Sequence, residues 1–248
     1  MQDRKLTARS VLASTLLGAA PPELPVAHLV HVAGLFGINE NRTRVALSRM
    51  VSSGEATTSG DGRYRLAGHL LERQARQTAS RAGRTGRWSG DWHIVVLSAA
   101  GRAAEVRGQR RAALVRARLA ELRLGVWLRP DNLALELPAE VADGDAAIFR
   151  GRPASPDAVL AASLWDLPAW ARRAKALLAE LDAHPPHGPD VLAPGFVLSA
   201  AVLRHFQADP LLPPALLPAK WPGEQLRRVY DEWDAAYRRV LVEWSRSI

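Results

Sequence analysis

Residues 37–54 read GINENRTRVALSRMVSSG. Arginine and asparagine are crowded in this stretch, and both carry paired hydrogen-bonding groups on flat side chains. Arginine can bond two acceptors on guanine, and asparagine two groups on adenine. Thr43, Leu47, Met50 and Gly54 recur at spacings of four, three and four, which marks a narrow buried stripe on a helix. Asn41, Arg42, Arg44, Val45, Ser48 and Arg49 then fall off the core side. Asn39 sits where a helix N-cap is wanted, and Gly54 where a helix stops. Arg63 and Arg65 follow on a short hairpin, within reach of phosphate or a minor groove. The competing reading is a solvated amphipathic helix with no partner.

Charge placement separates the two readings. The net charge is +8 over 248 residues. Residues 1–89 hold 13 Lys and Arg against 6 Asp and Glu, residues 90–150 hold 9 against 8, and residues 151–248 hold 11 against 11. A basic first third on two near-neutral thirds is the electrostatic footprint of a module for a polyanion. Thirty of the 33 basic residues are arginine, a bias that base composition alone can produce. The excess matters here for where it sits.

Other chemistries find little support. There is no cysteine, which removes disulfides, thiolate metal sites and cysteine nucleophiles and fits a reducing cytosol. The histidines at 28, 31, 69, 93, 184, 187 and 205 form no metal-ligand spacing. No nucleophile elbow, Walker loop or dinucleotide fingerprint occurs, so no catalytic residue, metal or cofactor is expected. The strand expected at 92–97 runs into SAAGR without an acid, which weakens a metal-dependent nuclease. No run approaches the ~18 apolar residues of a membrane span, and the polar start MQDRKLTARS lacks a signal-peptide core. A cytoplasmic protein away from membranes is expected.

The elements that must position these residues read as follows. A helix is predicted over 6–20, broken by APPELP, and another from Pro25 to Gly37. The third helix and two short strands around Gly60-Asp61-Gly62 complete a winged helix-turn-helix. A polar helix over 70–83 links it to the rest. The middle of the chain reads as a strand at 91–98, a long helix at 102–123, two strands within 125–138 and a strand at 146–151. That is a small α+β, ferredoxin-like layout. Arg107, Arg111 and Arg118 would form one stripe on the long helix. Beyond 153 helices dominate, and 223–246 is strongly amphipathic, with Leu226, Val229, Tyr230, Trp233, Tyr237, Val240, Leu241 and Trp244 on one face. The expected class is α+β: a winged helix at 1–88, an α+β middle domain at 89–151 and a helical C-terminal domain at 152–248.

The pattern resembles the PaaX-type transcriptional repressors, named for control of phenylacetate degradation. The resemblance is carried by GLFGINENRTRVALSRMVSSG, WSGDWHIVVL, LGVWLRPDNL, LWDL at 164–167 and ADPLLPPALLPAKWPG. It implies an N-terminal winged helix on double-stranded DNA, a homodimer, and repression relieved by an aryl-acyl-CoA thioester. A repressor reading a two-fold operator is therefore expected. For such an effector, Arg107, Arg111 and Arg118 would meet the phosphates, and Trp127 or Trp165 an aromatic acyl group. The alternative is a nucleic-acid-processing enzyme that uses the ferredoxin-like middle domain.

Overall fold

A computed structural model of the chain describes residues 6–59, 61–98, 103–141 and 146–246. Gly60 of the expected turn, the SAAGR residues after Ser98, and Arg102 lie outside the described residues. Two compact units emerge. One gathers the chain up to Ala82 with Leu177–Phe206 and the chain from Leu226; the other holds Gly83–Ala176 with Gln207–Gln225.

The first unit opens with α1 (Ala8–Gly18), capped by Thr7, whose hydroxyl accepts from the Ser10 amide. β1 (Glu23–Pro25), α2 (Val26–Gly34) and α3 (Glu40–Ser52) follow. β2 (Ala56–Thr58) and β3 (Arg63–Leu66) form the hairpin. The three strands make an antiparallel sheet in the order β1-β3-β2, with Glu23 opposite Arg65 and Ala56 opposite Leu66. This helix-strand-helix-helix-hairpin order is a winged helix. β1 departs from the sequence reading, which took APPELP as a plain break. Two prolines and three strand residues are too short for periodicity to show, and pairing with β3 is what makes them a strand.

α3 stops because Gly54 takes a left-handed conformation, φ +71°. The Gly54 and Glu55 amides turn back onto the Val51 and Met50 carbonyls, a Schellman closure. Leu12, Leu16, Leu29, Leu47, Met50, Leu66 and Leu70 are at most 2% exposed and form the core under α3. Each contributes roughly 1.5–3 kcal/mol by burial. α4 (Gly68–Ala82) leads out of the winged helix.

The second unit is built on β4 (Trp92–Leu97), α5 (Ala104–Arg116), β5 (Ala120–Arg123), β6 (Val126–Pro130) and β7 (Ala146–Gly151). Its sheet is antiparallel throughout, in the order β5-β6-β4-β7. Counted within the sheet, that is the 2-3-1-4 order of a ferredoxin-like fold. The second crossover, between β6 and β7, contains no helix among the described residues.

Two sequence expectations fail here for identifiable reasons. The helix predicted to 123 ends at Arg116. Arg118 turns left-handed, φ +63°, and the Arg118 and Leu119 amides close back onto Val115 and Leu114. The apolar residues that follow enter β5. The second strand expected within 125–138 is absent. There the Asn132 side chain donates to the Leu211 carbonyl at 2.8 Å, and Leu135 and Leu137 pack on the core as loop residues.

α6 (Asp157–Leu164) and α7 (Leu167–Ala183) come next. One face of the sheet, with Trp92 and Leu128, packs on Leu160 and Ala161 of α6. The other, with Val95 and Trp127, packs on Leu114 of α5 and on Leu119 just beyond it.

α8 (Leu192–Gln207) and α9 (Gly223–Arg246, from Leu226 on) return to the first unit. Leu226, Tyr230, Trp233 and Tyr237 of α9 are buried there. Phe36, Phe196, Leu241 and Trp244 join Val11, Val32 and Ile38 in one apolar cluster. Phe36 meets Phe196 at 5.1 Å between ring centroids, and His31 meets Trp244 at 4.9 Å. The winged helix and the C-terminal helices thus share a core. No helix among the described residues is long and apolar enough to cross a membrane.

Trp233 and Tyr237 stack at 5.1 Å and lie over Gly195. A Cβ at 195 would fall 2.6 Å from Tyr237 Cε2 and 3.2 Å from Trp233 Cη2. Gly195→Ala is therefore expected to cost ~1–3 kcal/mol by overpacking. Gly108 lies in α5 with open space around its Cα, so Gly108→Ala should stabilise by up to ~1 kcal/mol through helix propensity. Urea denaturation followed by tryptophan fluorescence distinguishes opposite signs from a shared one.

Candidate nucleic-acid interface

The surface begins with the Asn39 cap. Its side chain accepts from the Arg42 amide at 3.0 Å, and the Thr43 hydroxyl donates to the Asn39 carbonyl at 3.0 Å. Thr43 is fully buried beside Leu47 and Met50, which fixes the rotation of α3. Asn41, Arg42, Arg44, Val45, Ser48 and Arg49 are in consequence exposed along one side. Asn39 is exposed as well, but its oxygen is committed to the cap.

The arginines divide by partner. Arg44 donates from Nε to Glu40 at 2.7 Å, an i,i+4 pair with both side chains more than half exposed. Such a pair is worth only ~0.3–0.5 kcal/mol. Arg42 and Arg49 have no acidic partner among the described residues. On the wing, Arg63 and Arg65 converge on Glu23 of β1, Arg63 through Nε at 2.9 Å and Arg65 through Nε at 2.8 Å. These bonds, Arg65's first, hold the Glu23 carboxyl below its ordinary value. A lowered carboxyl stabilises the fold above the usual carboxylate range and loses that contribution as pH falls through its folded value. The Ser59 hydroxyl likewise holds Asp61 low at the hairpin tip. Arg63 and Arg65 thus share one acid at the base of the wing, while Asp61 sits at its tip.

Behind α3, Glu55 is 6% exposed and bonded to Arg9, with His69 at 3.5 Å. Arg9 holds its carboxyl low. This pair ties the start of α1 to the end of α3 and takes Arg9 away from any ligand.

The residues read for an anionic effector divide between two faces. Arg107 and Arg111 are on α5. Arg111 pairs with Glu121 and lies 5.5 Å over the Trp127 ring. Arg118 has left the helix and donates to the Asp209 carbonyl. Trp127 is 3% exposed on the α5 side of the sheet, whereas Trp165 packs on the opposite side against Trp92. Trp127 and Trp165 therefore do not line one pocket. Sequence reasoning passed over Arg129, which is 5% exposed on the Trp127 face. It donates to the Ala117 carbonyl at 2.9 Å, while its second terminal nitrogen is buried without a partner. Burial, then the charge of Arg118, pushes it down to about 10. The alternation within VWLRP was the available signal, since it puts Arg129 on the side of Trp127.

Three family descriptions match the chain in succession: "PaaX-like protein" over residues 7–70, "PaaX protein central Cas2-like domain" over 85–157, and "PaaX-like protein C-terminal domain" over 165–244. Among solved structures, an uncharacterized protein from Mycobacterium tuberculosis is 40% identical with a TM-score of 0.76, covering 97% of this chain and 99% of its own. No curated protein matches. A winged helix with an exposed Asn/Arg ridge, matched in order by all three parts of one family, has a single reading: the chain belongs to the PaaX-like family of DNA-binding transcription regulators.

Proposed function

We propose that the chain is a repressor that binds a two-fold operator as a homodimer in the cytoplasm, and that an aryl-acyl-CoA-type effector releases it. The observation that carries the DNA reading is the exposed ridge of α3, where Asn41, Arg42, Ser48 and Arg49 face outward, with Arg63 and Arg65 on the neighbouring wing. α3 enters the major groove. Arg42 and Arg49 read guanine or grip phosphate, Asn41 reads adenine, and Val45, 44% exposed among polar neighbours, meets a thymine methyl. Arg63 and Arg65 contact the backbone, exchanging part of their bond to Glu23 for phosphate. Residues 1–88 act as the reader, with 89–151 and 152–248 as the remaining parts. A single winged helix reads too few base pairs to find one site in a genome, and a two-fold dimer doubles the sequence read. Support for repression and for the acyl-CoA class comes from family membership.

Affinity for duplex DNA should fall with salt, log K dropping by ~0.9 per phosphate neutralised. Arg42→Ala should weaken specific binding by ~1–3 kcal/mol and relax preference at one base position. Glu40→Gln should instead raise affinity at low salt, because it removes a carboxylate from the DNA-facing ridge and frees Arg44. Fluorescence anisotropy across a salt series, with sites selected from random duplexes, checks all three. Loss of all duplex binding by the full chain at low salt would be the wrong outcome for the reader.

For the effector, calorimetry with phenylacetyl-CoA and other acyl-CoAs should show binding. A ligand that lowers DNA affinity ~100-fold carries about 2.7 kcal/mol of coupling, and DNA must weaken the ligand equally. Reciprocal titrations test that equality. The same protein should leave RNA, DNA and acyl-CoA unhydrolysed, whereas cleavage of any of them would favour the enzyme reading.

A further inference from the structure

β7 is a terminal strand of its sheet, and among the described residues no strand pairs with its outer edge. It is fully paired on its inner side, six residues against six of β4 from Trp92–Gly151 to Leu97–Ala146. Among the described residues its outer row of amides and carbonyls meets no strand. Natural sheets blunt such edges with prolines, bulges or charges. β7 reads AAIFRG, without proline or bulge. Its one charge, Arg150, is tied to Asp131 at 2.6 Å and Asp91 at 3.3 Å. The middle of the strand is apolar and open on both faces: Ile148 is 50% exposed and Phe149 55%. Val96, 36% exposed, extends the patch on the Phe149 side.

We propose that a second copy of the chain docks on β7, edge to edge and antiparallel, so that two four-stranded sheets join across a two-fold axis. The occupant follows from the strand's own sequence. An antiparallel two-fold keeps like face with like face, so residues of equal parity pair. Centring the axis on Ile148 sets Ile148 against Ile148, Phe149 against Ala147 and Arg150 against Ala146. No arginine then opposes an arginine, and each phenylalanine covers the small residue beside it. A shift of the axis to Phe149 is also free of like-charge pairs. In a chain of net charge +8, this apolar, charge-neutralised edge is where two copies can approach without repulsion. The long amphipathic face of α9 does not compete for the role, because its tyrosines and Trp233 are buried within their own unit.

The proposal rests on the homodimer reading above, and its test separates the two. The chain has no cysteine, so one introduced thiol reports one contact. Residues facing each other across antiparallel strands have Cα atoms about 4.5–5.5 Å apart, within the span of a disulfide. Full-length Ile148→Cys, or Phe149→Cys in the shifted register, should give a covalent dimer under mild oxidation. Val115→Cys, exposed on α5, should not. Ile148→Lys combined with Phe149→Lys should weaken the dimer at least tenfold by light scattering while circular dichroism stays unchanged. Cross-linking at neither β7 position above the Val115 control, in a chain that light scattering shows to be dimeric, would overturn this surface and leave the dimer standing. A dimer undisturbed by the double lysine variant would do the same. A chain that stays monomeric with and without DNA would remove both.

Discussion

Asp234 is 4% exposed on α9 and accepts from Arg81 of α4 at 2.7 Å and from Arg238 at 2.9 Å. The first unit depends on this carboxylate. Burial is the largest single influence on Arg81 and works against its charge, but the bond to Asp234, the Asp234 charge and the bond to Asp231 together hold the guanidinium above its ordinary value. Burial first, and then the Asp234 charge, push the Tyr230 and Tyr237 hydroxyls up as well. The pair has further work, because the same helix satisfies backbone groups that other helices leave open. Arg227 donates to the Ser80 and Arg81 carbonyls at the end of α4, and Arg238 to the Gly18 carbonyl at the end of α1. Trp233 donates to the His184 carbonyl just past α7. Terminal carbonyls have no partner within their own helix, and cations there also meet the negative end of the helix dipole. One helix thus caps three others.

That arrangement bears on how a regulator of this kind works. α2 packs behind α3 in the winged helix, and its residues His31 and Val32 share a cluster or ring contact with Trp244 and Leu241 of α9. Phe36, in the turn that sets α3 across α2, touches Phe196 of α8. Close-packed interiors do not absorb displacement smoothly. A change in α8 or α9 therefore reaches the joint of the helix-turn-helix through direct side-chain contact, without a flexible tether between. The winged helix and the C-terminal helices are joined by this shared core.

The sequence made some of this legible and hid the rest, and the division follows range. Asn39 as cap, Gly54 as stop and the bounds of α9 are local, set by residues within a turn of each other, and each stands where the pattern put it. β1 was hidden because three residues cannot show alternation. The end of α5 was hidden because Arg118 does the task usually left to glycine, and Leu119 and Ala120 suit a helix as well as a strand. After β6, where a second strand was expected, the Asn132 side chain bonds Leu211, 79 residues away. The capping of α1 by Arg238 spans 220 residues. No periodicity records contacts of that kind. On the candidate DNA surface the types and exposure of the α3 residues were legible, whereas Glu23 and Glu40 as partners of the arginines were not.

Those partners change what the positive charge means. The first 89 residues carry a net +7, which suggests many equivalent contacts to a polyanion. In the fold, Arg9 is held by Glu55, Arg63 and Arg65 by Glu23, Arg44 by Glu40 and Arg81 by Asp231 and Asp234. The field outside still has the summed charge, since pairing moves no charge off the surface. Long-range attraction to a polyanion is set by that total, whereas a short-range bond costs least from a side chain with no acidic partner among the described residues. Arg42 and Arg49 are in that position on α3; Arg63 and Arg65 share one acid between two, so one of them can leave Glu23 without stranding it. Net charge and arginines without an acid of their own among the described residues are therefore separate properties of this surface: the first belongs to the whole segment, the second to a few positions on α3 and the wing.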